Sequence, residues 1–184
     1  MYSLFTDAVY KYDYSWFRPM SNYLTFSVRT CDNAHLMLSA EMLDTTNAYE
    51  IVLGAFSNTK SDIRRGSHGP PLVQVDTPNI MKCDEYLPFW VRWENKTLQL
   101  GYGAIDETVL MRLDDAEMPA ITAASVSSWE SANGEYQFPE TQGLVVSIFL
   151  VFLFHFLGVT FKGRSVLLTA NRSASCATVV VCSE

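Results

Sequence analysis

Apolar and polar side chains alternate along the first part of the chain in short segments. The stretch 49–66 shows the pattern most clearly, because apolar residues occupy every second position as far as Leu53. Ser57-Asn58 then supplies turn chemistry, and residues 59–65 return with an alternation of their own. Period-two alternation on both sides of a turn predicts a β-hairpin here.

The same alternation recurs on both sides of this hairpin. Near the N-terminus, Tyr10, Tyr12, Tyr14 and Trp16 alternate with polar residues, which predicts a half-buried aromatic strand. Further strands are predicted at 22–30, 34–40, 72–75, 89–94 and 97–102. Short strands separated by turn residues are typical of an all-β, jelly-roll-like antiparallel β-sandwich. Its predicted inward-facing residues are Tyr12, Leu24, Phe26, Leu36, Leu38, Ile51, Leu53, Leu98 and Leu100.

One segment also admits a nucleotide-binding interpretation. A strand at 98–100, a turn at 101–103, a helix at 107–118 and a strand at 120–126 would form a βαβ unit. The third glycine of the usual fingerprint is absent, and the pattern predicts no second long helix to cover a parallel sheet. We therefore favour the antiparallel sandwich.

Composition and charge narrow the class of partner. The chain has 184 residues, of which 48% are hydrophobic and 18% charged, so it is long enough and apolar enough for a globular core. Up to Gln142 it carries ten Lys and Arg residues against nineteen Asp and Glu residues. An acidic body without a basic stripe argues against nucleic-acid binding.

The character of the sequence changes after residue 130. Residues 131–143 have the composition of a linker, and 144–161 contain no charged side chain. Eighteen residues of helix would reach about 27 Å, so we predict a C-terminal apolar helix that crosses a membrane. A buried strand pair or spurious translated sequence is the alternative. The predicted organisation is a domain at 1–130, the linker, the span and a short tail at 162–184.

Several short motifs resemble a known family. They include Tyr23 to Phe26, Cys31 to His35, the hairpin at 49–66, Val75 to Pro78 and the aromatic strand around Trp90. In this order they are similar to the farnesoic acid O-methyltransferase-type domain family, over about residues 14–129. The family name implies S-adenosylmethionine-dependent O-methylation of farnesoic acid. The residues themselves favour a non-enzymatic binding module that needs no cofactor.

The cysteines allow two interpretations. Cys31 and Cys83 each precede an aspartate, and they could form a disulfide in an oxidising compartment or remain reduced thiols. Cys31 and His35 lack a second pair that would complete a metal site, so we predict none.

The candidate binding residues lie on the hairpin and one aromatic strand. They are Asn58, Lys60, Arg64, Arg65 and Trp90, a polar and cationic edge beside an aromatic side chain. No catalytic constellation is evident. The expected partner is an unknown small molecule, a glycan or a protein.

Asn95 begins a glycosylation sequon, which has meaning only in the secretory pathway. Basic residues follow the predicted span and acidic residues precede it, so the β domain is predicted to be extracellular or luminal. A soluble cytoplasmic protein is the alternative.

Overall fold

The architecture comes from a computed structural model of the chain. It describes residues 1–12, 15–129 and 132–139 with their side chains, and the backbone of three short strands beyond them. The chain divides into two compact units, Met1–Ser147 and Ile148–Glu184. The first unit contains the β-sandwich.

The described residues form fifteen strands and one short helical turn. In chain order they are β1 (Tyr2–Thr6), β2 (Phe17–Arg18), β3 (Tyr23–Arg29), β4 (Ala34–Ser39), β5 (Ala48–Gly54), α1 (Ala55–Asn58), β6 (Lys60–Arg65), β7 (Pro71–Asp76), β8 (Leu87–Glu94), β9 (Thr97–Tyr102), β10 (Thr108–Asp114), β11 (Ala123–Ser128), β12 (Gly134–Phe138), β13 (Val145–Val146), β14 (Val166–Thr169) and β15 (Thr178–Val181).

Two antiparallel sheets make up the first unit. The six-stranded sheet has the order β1-β12-β3-β8-β9-β10, and the seven-stranded sheet has the order β13-β2-β11-β4-β5-β6-β7. In the second unit, β14 and β15 pair with each other. The predicted all-β, jelly-roll-like sandwich is confirmed, and so is the hairpin, which is formed by β5 and β6.

The main hydrophobic core lies between the two sheets. Because side chains alternate along a strand, one face of each strand is apolar and points into this core. All the predicted inward residues except Tyr12 belong to it. Its largest members include Tyr49, Phe89 and Tyr136, each at most 1% exposed.

A second apolar cluster lies on the outer face of the seven-stranded sheet. Tyr12 and Trp16 pack there against Met37, Ala48 and Ala123. The predicted aromatic strand at 10–16 is therefore wrong, since residues 10–12 and 15–16 have no regular structure. The Lys11 N–H donates to the Ser127 side chain, so this segment lies across the face of the sheet and does not extend it.

Two other expectations differ from the structure. The segment proposed as a helix in the βαβ alternative is the strand β10, which rules that alternative out. Of the expected apolar helix at 144–161, only Val145 and Val146 are described, and they pair with β2 as β13. The rest of that helix lies outside the described residues. Within the described part, no helix is long and apolar enough to span a bilayer.

Candidate functional site

The N-terminal segment 8–16, which we call the strap, covers part of the outer face of the seven-stranded sheet. It connects β1 in one sheet to β2 in the other, so the chain must cross the end of the sandwich here. Asp13 and Tyr14 are the two strap residues that the structure does not describe. The Ser15 hydroxyl anchors the second half of the strap, at 2.5 Å from the Ser125 Oγ.

Glu50 lies under the strap and accepts several hydrogen bonds. Its Oε1 accepts from the hydroxyls of Tyr10, at 2.6 Å, and Tyr12, at 2.7 Å. The His35 Nδ1 lies 3.0 Å from the same oxygen. The backbone N–H of His68 donates to Oε2 at 3.3 Å. Glu50 is fully buried, so these partners replace the water that a carboxylate would otherwise bind.

A buried ion pair continues the polar cluster along the sheet. Arg64 lies opposite Glu50 on β6, with its Nη1 4.0 Å from Oε2. The Arg64 Nε and Nη2 donate to the two oxygens of Asp62 at 2.8 and 2.9 Å. This bidentate geometry is the strong form of an arginine–carboxylate contact. Arg64 therefore offsets one of the two negative charges of the cluster.

The environment shifts the pKa of the Glu50 carboxyl. Burial alone would raise it, but the hydrogen bonds from His35, Tyr10 and Tyr12 outweigh burial and lower the pKa to about 2. The same burial, together with the neighbouring Glu50 carboxylate, raises the pKa of the Tyr10 and Tyr12 hydroxyls. At neutral pH the group is a carboxylate held by neutral phenols.

Aromatic rings surround the exposed end of this cluster. The ring of Tyr10 lies 4.1 Å from that of His68 and 5.1 Å from that of Trp129, between centroids. Trp129 also stacks on His35, at 6.2 Å and 19°. Among the described residues, the buried His35 Nε2 has no hydrogen-bond partner. These rings hold the strap and the imidazole in place.

An open cleft of about 560 Å³ runs beside the strap. Its lining combines strap residues with residues of two neighbouring loops, namely Tyr10, Lys11, Tyr12, Trp16, Leu43, Thr45 and Ser67. Trp16 is 4% exposed, and its indole N–H has no hydrogen-bond partner in the part of the chain that the structure describes. The cleft is open to solvent, with aromatic side chains and a few polar groups along its walls.

Comparison with known proteins places this arrangement in a family. The sequence profile described as farnesoic acid O-methyl transferase matches residues 9–142, which include the strap except Ala8, the strands from β2 to β12 and the residues that line the cleft. The chain belongs to this farnesoic acid O-methyltransferase-type family. The resemblance inferred from the sequence motifs is confirmed.

Relatives of known sequence or structure are similar to parts of the chain. "Uncharacterized protein 5" of Haliotis asinina is 33% identical over 110 residues, which cover 59% of this chain and 63% of that protein. The chain thus matches less than two thirds of that relative's length.

Two glycoside hydrolases of known structure align with the chain at low sequence identity. A prokaryotic β-1,3-1,4-glucanase (lichenase) derived from a mouse hindgut metagenome aligns over 73% of this chain and 75% of its own, at 10% identity and a TM-score of 0.44. A native glycosidic hydrolase aligns over 74% of each chain, at 12% identity and a TM-score of 0.45.

The hairpin residues that the sequence suggested for binding do not converge in this farnesoic acid O-methyltransferase-type domain. Asn58 uses its amide to hold the backbone of Met81, with two hydrogen bonds of 3.0 Å. The Lys60 Nζ lies 2.6 Å from Asp76 on the neighbouring strand. Both side chains therefore have structural partners.

The two adjacent arginines point to opposite faces of the sheet. Arg64 belongs to the Glu50 cluster on the outer face. Arg65 pairs with Asp115 and lies over the ring of Tyr49, 4.6 Å from its centroid. Of these two arginines, Arg64 is the one on the same face of the sheet as the cleft.

Trp90 does not form a surface. It lies on the outer face of the other sheet and is fully buried, so the expected exposed aromatic is wrong at this position. A Cβ added to Gly101 would come within 2.2 Å of the Trp90 ring and of the Thr108 carbonyl oxygen. Gly101 therefore makes room for the indole, and it does not form a loop that could hold a methyl donor.

The remaining predicted positions lie on loops. Cys31 and Cys83 are joined by a disulfide that links the end of β3 to the loop before β8. Asn95 is exposed at the β8–β9 turn, where its φ is +50°. No group of three or more metal-ligating side chains occurs among the described residues.

Sequence reasoning missed Glu50, His35 and Trp129 as members of a site. One signal could have identified the first two: each is a titratable residue on the outward face of a strand that is otherwise almost free of charge. A titratable side chain on that face needs a hydrogen-bond or ion-pair partner when another segment of the chain covers the face.

Proposed function

We propose that this chain is a non-enzymatic ligand-binding module, and that the ligand occupies the cleft beside the strap. The observation that supports this most directly is the lining. Three aromatic side chains and Leu43 supply apolar walls, while Thr45 and Ser67 supply hydroxyls. Trp16 belongs to the same wall, and its buried indole N–H has no hydrogen-bond partner among the described residues. A buried donor without a partner costs free energy, so a ligand acceptor that reaches it would bind favourably.

The chemistry of the lining favours an uncharged, hydroxyl-rich ligand such as a saccharide. The phenol of Tyr12 already donates to Glu50, so its oxygen can only accept a further hydrogen bond. The Trp16 indole can only donate. A hydroxyl group satisfies both kinds of partner, and the carbon face of a sugar ring packs on aromatic walls. The neighbouring carboxylates of Glu50 and Asp62 already have hydrogen-bond partners within the protein.

S-adenosylmethionine-dependent methylation of farnesoic acid is the alternative that the family description suggests. Methyl transfer requires the donor and the acceptor to be held in line. The residues that would form a donor-binding βαβ unit are instead β9 and β10, and Gly101 packs under Trp90. The described residues therefore do not fit a donor site of that type.

The disulfide and the sequon support a location outside the cytoplasm. Disulfides persist mainly in oxidising compartments. We infer that the domain is extracellular or luminal, that Asn95 is glycosylated there, and that the part of the predicted span 144–161 that follows β13 attaches it to a membrane. Release of the full chain from membranes by alkaline carbonate would contradict the attachment.

A saccharide titration tests the binding proposal. Soluble disaccharides (maltose, cellobiose, lactose and N,N′-diacetylchitobiose) are added to the full chain while amide and indole NMR shifts are recorded. We expect at least one of them to shift the Trp16 indole signal. Replacing Trp16→Phe should weaken that binding about two- to tenfold, the loss of one hydrogen bond.

Trp90→Phe is the matched control, because the indole N–H of Trp90 also has no hydrogen-bond partner in the described part of the chain, but Trp90 lies on the other sheet. It should leave saccharide binding unchanged. Equal weakening by both substitutions, or no shift with any disaccharide, would contradict the saccharide assignment. In parallel, incorporation of a labelled methyl group into farnesoic acid above background would overturn the non-enzymatic proposal.

A further inference from the structure

The two large sheets end in four edge strands, and three of them carry features that prevent pairing with another strand. β7 begins with Pro71, ends with Asp76 and pairs through an irregular register. β10 contains a bulge and the charged residues Arg112 and Asp114. β13 is only two residues long. Proline, charge, bulges and shortness are the usual ways in which proteins block an exposed sheet edge.

The fourth edge strand, β1, has none of these features. Its sequence is Tyr-Ser-Leu-Phe-Thr, and it pairs with β12 in an unbroken register of five residues. No described strand pairs with its other edge. Phe5 is 63% exposed and Tyr2 is 36% exposed. An uncharged, regular edge with exposed apolar side chains is a template for a further strand.

We propose that the β1 strands of two copies of this chain pair with each other. In an antiparallel arrangement around a two-fold axis at Leu4, Ser3 of one copy faces Phe5 of the other, and Tyr2 faces Thr6. Each copy uses the same residues, as a two-fold interface requires. The result is one continuous sheet of twelve strands, six from each copy.

A second copy fits this edge for two reasons. No charged residue occurs from Tyr2 to Thr6, so self-pairing brings no like charges opposite each other although the whole chain has a net charge of −7. The register also places each exposed Phe5 beside the small Ser3 of the partner copy, which leaves room for the ring. Five residues bury less surface than stable dimers usually bury, so the association is weak and depends on concentration.

Sedimentation velocity of the full chain tests the proposal over about 10 µM to 1 mM, the range of weak association. We expect a monomer–dimer equilibrium. Phe5→Lys puts a charge on the edge and should shift the equilibrium to monomer at least tenfold. Val109→Lys is the matched control, because Val109 is 51% exposed on the other edge strand of the same sheet. It should leave the equilibrium unchanged.

A charge pair tests the register. In the double variant Ser3→Glu/Phe5→Lys, the new glutamate of one copy faces the new lysine of the other, at the short cross-strand distance of about 5 Å. The dimer should return, and high salt should weaken it. A monomeric wild type across the whole range, a dimer that survives Phe5→Lys, or a double variant that stays monomeric would each overturn the proposal. Saccharide binding in the cleft is unaffected by any of these outcomes.

Discussion

Glu50 keeps its charge in a place from which water is excluded. Burial favours the protonated carboxyl, whereas each hydrogen bond from Tyr10, Tyr12 and His35 favours the carboxylate. The hydrogen bonds outweigh burial, so Glu50 is a carboxylate. The hydrogen bonds that it accepts from Tyr10 and Tyr12 join the strap to the sheet. Removing the carboxylate from such a cluster leaves its donors buried without a hydrogen-bond acceptor, which lowers the stability of the fold.

Stability should therefore fall in acid, and Glu50 should account for part of the loss. Its pKa is about 2 in the folded chain against an ordinary value of 4.5, so its contribution is complete above pH 4.5 and is lost as the pH falls towards 2. The size of the contribution is about 3 kcal/mol. Urea unfolding at a series of pH values should show this slope.

The variant Glu50→Gln should be less stable than the wild type at pH 7 and should lose the part of the acid slope that belongs to this carboxyl. Glu117→Gln, at an exposed loop position, is the control and should keep the wild-type slope. Parallel acid slopes for wild type and Glu50→Gln would show that the cluster does not hold the carboxylate.

Single residues show where sequence reasoning reaches its limit. The period-two pattern placed Ile51 and Leu53 inward, which leaves Glu50 on the outward face of β5, but it could not indicate that the strap covers this face. Trp90 illustrates the same limit on the other sheet, where an outward tryptophan is fully buried. Alternation predicts which face a side chain takes, and burial of that face depends on distant segments.

At the scale of elements, the strands that pair into the sandwich were predictable because one face of each is apolar and turn residues separate them. The strap was not, because Tyr10 and Tyr12 alternate with polar residues as strand residues do. Their alternation comes instead from contact with the sheet beneath them. The turn between β5 and β6 also differs in detail from the turn predicted at Ser57-Asn58. Phe56, Ser57 and Asn58 all have left-handed backbones, with φ of 52°, 56° and 60°.

The β5 strand offers a direct test of the sandwich core. Leu53 is 1% exposed in the main core, so Leu53→Ala should lower the free energy of unfolding by about 2 to 5 kcal/mol through lost burial and a cavity. Leu72→Ala removes the same atoms from a side chain that is 44% exposed on β7. It should change stability by less than about 0.5 kcal/mol. Similar losses for the two variants in urea unfolding would be inconsistent with the described packing.

At the scale of the whole domain, the loop between β7 and β8 carries the chain from one sheet to the other. Two contacts fix it at different points. Asn58, at the tip of the β5–β6 hairpin, binds the backbone of Met81. Two residues later, Cys83 is bonded to Cys31 at the end of β3. The sequence left the state of these cysteines open, because they lie 52 positions apart and only the folded sheets bring them together.

The disulfide should therefore contribute to the stability of the whole sandwich. Closing a loop of 52 residues in the unfolded chain removes conformational entropy worth about 4 kcal/mol. The double variant Cys31→Ser/Cys83→Ser should lose stability of this order in urea unfolding. Reduction of the wild type should have the same effect, whereas the double variant should not respond to the reductant.

Mass spectrometry of the unreduced digest should detect a peptide pair that joins Cys31 to Cys83. If that pair is missing and the wild type is equally stable with and without reductant, the bond does not form in the protein and the β7–β8 loop is held by Asn58 alone.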